Sequence, residues 1–282
     1  MALEENLTAL NITDFPIDDD CIGSKWKVEN EEQLARLIAI IVMGQAAQAA
    51  HIIDELLPAA PAFTDNELKN EAKIKFTVQE KKQTPRTGYP RIQRDGLIFE
   101  IISWIAAKQV SGEKCYLKDP HTSSTSQGLD GLMIELNEDG NEIYNSTIFE
   151  DKCTETPRKF FRENVIPGFL DRHENTRNAE LIAAATTLIQ LSGVGNLQAM
   201  SMVRKVLDNS ARRYRAGFAL TKLFDSDTAQ KALFKGYDKI KDITQEQRIG
   251  ASLIIDGELR DWFDKLATKI IAYIEQLDVE QD

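Results

Sequence analysis

The chain has 282 residues, of which 42% are hydrophobic, enough to bury a substantial core as one large domain or two small ones. Its formal net charge of −11 excludes a protein that coats nucleic acid nonspecifically, so a nucleic-acid enzyme of this balance needs a local basic groove, a metal that screens its carboxylates, or a delivering partner. Cys21, Cys115 and Cys153 are scattered without a CxxC pair, which excludes a disulfide frame or cysteine zinc site and suits reduced thiols in a cytosolic protein.

In chain order, the start is acidic where a signal peptide would be basic, and residues 1–25 read as polar and irregular. Asn30 to Leu57 reads as one amphipathic helix, with Asn30 as N-cap, Glu31 and Glu32 in its first turn and Pro58 stopping it. The apolar run Leu37–Met43 inside it is too short for the roughly 20 residues that span a bilayer. A soluble cytoplasmic protein without a membrane segment is expected. Lys73–Val78 alternates polar and apolar residues, so it reads as a half-buried strand. Between positions 81 and 94, Lys81, Lys82, Arg86, Arg91 and Arg94 occur with no acidic residue, in a stretch whose prolines and glycine mark a loop.

A helix is expected from Asp95 to Gln109, with Leu97, Ile101, Trp104 and Ile105 on one face and Glu100 on its flank. Gln127–Leu136 and Ser146–Lys152 read as strands, joined through the turn formers of Asn137–Glu142 into a hairpin. Thr156 and Pro157 then open a helix that carries Arg158, Lys159 and Arg162. An alanine-rich helix covers 178–191, buried strands cover 215–221 and 248–255, and an amphipathic helix closes the chain from about 258 to 277. The order predicts an α/β fold, a mixed central sheet flanked by helices, with a helical N-terminal elaboration over 1–94 and a core over 95–282.

The hairpin carries the chemistry. It brings Asp130 and Glu150 to the same end of a two-stranded ribbon, and alternation puts Glu150 and Lys152 on one face and Asp151 on the other. Two carboxylates and an ammonium so placed can hold a hard divalent cation beside a phosphodiester. E-x-K alone is a weak pattern, since Glu71-Ala-Lys73 and Glu80-Lys-Lys82 repeat it and most such pairs are surface ion pairs. The Asp130 strand and the Glu100 helix set Glu150-Asp-Lys152 apart. Isolated His51, His121 and His173 read as structural. Arg212-Arg213-Tyr214-Arg215 is basic, compatible with DNA contact or with a plain surface patch. No GxxxxGK[ST] loop occurs, so an ATP-driven step needs a partner.

Glu100, Asp130 in Gly-Leu-Asp-Gly and Glu150-Asp151-Lys152, in this order of elements, resemble the PD-(D/E)xK (restriction-endonuclease-like) nuclease superfamily over roughly residues 95–265. The proline that names the family is absent before Asp130. Within it, the size and the Gly-Leu-Asp-Gly … Phe-Glu-Asp-Lys pairing look like the nuclease subunit of the Hachiman anti-phage system (HamA-type). The resemblance implies a DNA endonuclease of bacterial antiviral defence that works with a helicase/ATPase partner. It implies that Asp130 and Glu150, with the Asp151 carbonyl, hold Mg²⁺ (or Mn²⁺), that Lys152 orients the attacking water, and that Glu100 anchors a further water or ion. Arg158, Lys159 and Arg162, with Arg91 and Arg94, are the expected phosphate contacts. An inactive nuclease-fold subunit that binds DNA or serves assembly, and an unrelated α/β adaptor, remain the alternatives.

Overall fold

A computed structural model describes residues 6–123 and 128–278. Its strands are β1 (Leu10–Pro16), β2 (Ile22–Val28), β3 (Cys115–Leu117), β4 (Gly131–Leu136), β5 (Ile143–Lys152), β6 (Arg212–Thr221) and β7 (Arg248–Ile255). They form one mixed sheet in the order β1-β2-β7-β6-β5-β4-β3. β2, β7, β6 and β5 run parallel to one another, while the β1–β2 pair and the β3–β4–β5 meander are antiparallel. The helices are α1 (Glu31–Val42), α2 (Ala46–Asp54), α3 (Asn66–Phe76), α4 (Arg91–Val110), α5 (Pro157–Phe160), α6 (Ile166–His173), α7 (Asn178–Leu191), α8 (Asn196–Met202), α9 (Asp227–Phe234) and α10 (Leu259–Gln276). A π-helical turn, Phe161–Val165, joins α5 to α6.

Two apolar cores cover the two sheet faces. One packs α1, α2, α3, α4 and α10 against β2 and β7 through residues such as Leu34, Ile38, Phe99, Ile102, Trp26 and Phe263. The other packs α6 to α9 against β4, β5 and β6 through Phe161, Phe169, Leu188, Tyr214 and Phe234. The fold is therefore the expected α/β class, with the parallel strands β6 and β7 buried at the centre of the sheet. Among the described residues no helix is long and apolar enough to cross a membrane.

Several expectations need correction. The first 25 residues are not irregular, because β1 and β2 lie there and β2 pairs with β7 from Ile22↔Ile249 to Trp26↔Leu253. The sheet and the first core thus run across the expected boundary at residue 94. The single helix over 30–57 is two helices, broken where Gly44 takes φ 83°, a value that suits a residue without Cβ. Its start is as expected, since the Asn30 side chain accepts the Gln33 N–H at 2.8 Å.

The expected strand at 73–78 is helical to Phe76, the end of α3, and Val78 forms only an isolated bridge with Tyr89. Asp65 caps that helix by accepting the Leu68 N–H at 2.7 Å, and Leu68, Ala72 and Phe76 turn to the core at four-residue spacing, so the helical period outweighed a six-residue alternation. Finally, α4 begins at Arg91, which puts Arg91 and Arg94 on a helix and not in a loop. The strand expected from Gln127 starts at Gly131, and Gln127 itself lies outside the described residues.

Candidate active site

The β4–β5 hairpin sets the site. Gly131 pairs with Phe149 and Leu132 with Ile148, so Asp130, one residue earlier, stands level with Glu150. The Asn137 side chain closes the loop by accepting the Asn141 and Glu142 N–H groups. At the open end, Asp130 Oδ2 accepts the Asp151 N–H at 2.9 Å. The Lys152 Nζ lies 2.5 Å from Asp130 Oδ2 and 3.1 Å from Glu150 Oε2. Asp130, Glu150 and Lys152 are thus brought together as the hairpin required. Burial alone would depress the Lys152 ammonium, but the Asp130 and Glu150 carboxylates more than offset this and hold its pKa above the ordinary value.

Alternation along β5 gives its last three side chains different surroundings. The second Glu150 oxygen, Oε1, faces Arg172 of α6 at 3.3 Å. Asp151 turns toward α4, where Ser103 Oγ donates to its Oδ2 at 2.7 Å and Arg215 Nη2 lies 3.5 Å from the same atom. The Asp151 side chain is only 2% exposed, and it fits because its neighbour on β6 is Gly217, where a Cβ would fall 2.1 Å from Oδ1. Burial pushes the Asp151 carboxyl up to about 6; Arg215 opposes this, and Asp130 and Glu100 add to it.

A cleft of about 590 Å³ opens beside these residues, walled by α4, the end of β5 and the start of α10, with Glu100, Asp130, Asp151 and Lys152 in its lining. Glu150 is outside that lining. Glu100 enters from α4 as expected, but its Oε1 is taken by the loop before β4, accepting the His121 backbone N–H at 2.8 Å and lying 2.9 Å from its Nδ1. His121, expected to be isolated, is paired with this carboxylate and lines the cleft. Only the fold pairs the two, since a loop and a helix meet there without any local spacing signal.

The expected phosphate contacts divide. Lys159 and Arg162 are exposed on the helix after β5, in a shallow depression that shares Glu155 and Thr156 with the cleft. Arg162 pairs there with Glu163. Arg158 is committed to the fold, donating to the Leu233 and Lys235 carbonyls at 3.0 and 2.6 Å. Arg91 pairs with Asp264 at 3.2 Å. Arg94 is 3% exposed and locked on Asp95 and Asp264, so it is a buried brace and not a phosphate contact. The Arg212–Arg215 stretch is no surface patch either. Arg212 is fully buried on the Val206 and Arg172 carbonyls, and Arg215 packs 3.5 Å over the Phe149 ring.

Asp130 and Glu150 supply hard oxygen donors of the kind that hold Mg²⁺ or Mn²⁺, and one cationic atom, Lys152 Nζ, already reaches both. These two carboxylates are the residues that could hold a divalent ion, at a position the Lys152 ammonium takes here. Among the described residues no group of three or more histidine, cysteine or acidic side chains is placed to hold an ion. Compared with family models, curated proteins and solved structures, the chain matches none.

Proposed function

We propose that this chain is a Mg²⁺- or Mn²⁺-dependent DNA endonuclease, the effector subunit of a bacterial anti-phage defence system that acts beside a helicase/ATPase partner. One observation carries the nuclease reading. A lysine ammonium sits between carboxylates from two adjacent antiparallel strands, at the mouth of a cleft that a third carboxylate enters from the preceding helix. The three charges are half-buried and paired with one another, so the cluster is held in place before any substrate arrives. The defence role and the partner rest on the family resemblance of the Asp130 and Glu150-Asp-Lys152 strands.

The chemistry follows from the placement. The ion held by Asp130 and Glu150 would supply Lewis acidity at a phosphate oxygen and an acidified water. Lys152, kept charged by its two carboxylates, would release its hold on one of them to stabilise charge building on the phosphorus and to orient the water. The Asp151 N–H fixes the Asp130 carboxylate, so the donor does not have to be ordered when substrate arrives. Glu100 holds His121 through Nδ1, which leaves Nε2 as the ring nitrogen for a polar contact in the cleft.

Supercoiled plasmid incubated with Mg²⁺ should be nicked by the parent chain and left intact in EDTA. Lys152→Met and Glu150→Gln should each lose on the order of a hundredfold or more in rate, the scale of removing one transition-state charge donor. Nicking by both variants at the parent rate would remove this site from the reaction. A folded parent that binds DNA without cutting it under any divalent metal would favour the inactive-subunit alternative.

A further inference from the structure

A cleft that takes a phosphodiester needs cations, and among the described residues two line it, Lys152 and Arg260. Lys152 is committed to Asp130 and Glu150. Arg260 comes from the first turn of α10 and joins the same lining. Its inner edge is fixed. Nη1 donates to Asp95 Oδ2 at 2.7 Å, and Asp95 is fully buried with its other oxygen on Arg94, which in turn bridges to Asp264 of α10. Nη2 leans on the Cys153 carbonyl at 3.5 Å, directly after Lys152.

The outer edge is different. Nε donates to Glu155 Oε1 at 3.3 Å, and the Glu155 side chain is 69% exposed at the rim of the same cleft. A solvent-exposed pair of this length holds weakly, whereas the buried Asp95 pair is strengthened by its low-dielectric setting. The guanidinium is therefore preset from behind and covered in front by an exposed anion. A planar guanidinium with neighbouring N–H groups in a fixed fork is the side chain best matched to a phosphate.

We infer that Arg260 is the phosphate-binding residue of the cleft, positioned by Asp95, and that Glu155 occupies in the free protein the place a backbone phosphate of the substrate takes. This rests on the nuclease reading above. It assigns substrate contact to a residue of the C-terminal helix in place of Arg94 and Arg158, whose guanidinium groups are used within the fold.

The test is binding of a fluorescein-labelled DNA duplex, followed by fluorescence anisotropy with Ca²⁺ in place of Mg²⁺ over a salt series. Arg260→Gln should weaken binding tenfold or more near 0.1 M salt and lower the salt slope by about one, as expected for one lost phosphate contact. Arg260→Lys should recover part of the affinity. Glu155→Gln, at an exposed position, should fold like the parent and bind several-fold tighter, and it should do nothing in the Arg260→Gln background. A purely structural Arg260 would give no gain on removing Glu155. Equal binding by parent, Arg260→Gln and Glu155→Gln would overturn the assignment while leaving the nuclease reading standing. If Arg260→Gln does not fold, unchanged binding by Glu155→Gln and Arg260→Lys overturns it. A parent chain that binds no DNA would overturn the nuclease reading and this assignment with it.

Discussion

Gly217 shows how closely the site depends on one residue. It faces Asp151 across β5 and β6, and a Cβ there would sit 2.1 Å from the Asp151 carboxylate and 3.7 Å from the Phe99 ring. Because Asp151 is held by Ser103 and Arg215 on its other side, it has nowhere to retreat. Gly217→Ala should destabilise the fold by about 1–3 kcal/mol, the scale of core overpacking, and should reduce nicking beyond what the stability loss explains. Chemical unfolding and plasmid nicking on the same preparation measure both. His173, remote from the cleft, contacts the Tyr214 hydroxyl at 3.1 Å and the Asn209 amide. Burial, with Arg212 nearby, lowers its pKa below the ordinary 6.5. The unfolded chain then takes up the proton more readily, so this contribution is full above about 6.5 and is lost as pH falls through the depressed folded value. Thermal unfolding between pH 8 and 5 should fall more steeply for the parent than for His173→Gln. Parallel curves would refute the assignment.

At the scale of elements, the hairpin β4–β5 and the helix α4 work as one device. The hairpin needs only a six-residue loop closed by Asn137, while α4 delivers both Glu100 to the cleft and Ser103 beneath Asp151. These two are nearly one helical turn apart, and so they face neighbouring parts of the same wall. The N-terminal helix α1 is anchored differently, by Asn30. Its side-chain oxygen takes the Gln33 N–H and its amide donates to the Asn6 carbonyl at 2.7 Å. Asn30→Ala should cost about 1 kcal/mol, typical of a lost N-cap, without touching the cleft. Denaturant unfolding should show a lower midpoint with an unchanged slope, and unchanged DNA nicking beside it.

At the scale of the molecule, the first strands are part of the sheet that carries the site. β2 covers the edge of β7, which itself flanks β6, the neighbour of β5. Trp26 of β2 is 2% exposed and lies within 6.4 Å of the Phe99 ring on α4. A chain lacking residues 1–28 would bare the β7 edge and part of the first core, and exposed strand edges pair with other chains. It should elute as aggregate in size-exclusion chromatography. A monodisperse, thermally stable product would mean that the N-terminal strands are dispensable.

Local order in the sequence was enough for much of this. Burial on both faces makes β6 and β7 continuous apolar runs, and the apolar stripe of α10 follows a helical period, so these elements could be read near where they stand. The hairpin was legible because turn formers separate two β-rich runs, and with it came the meeting of Asp130, Glu150 and Lys152. Short segments failed where two periods compete over five or six residues, as at 73–78, where packing of Ala72 and Phe76 on the first core selected the helix. Charges were the least legible. Whether an arginine meets solvent or a buried carboxylate depends on residues far away in the chain, so Arg94 and Arg158 looked available from the sequence. Only tertiary packing spent them on Asp264 and on the Leu233 and Lys235 carbonyls. The same packing set His121 on Glu100 and carried Arg260 from the last helix into the cleft. Contacts between distant segments have no periodicity to announce them.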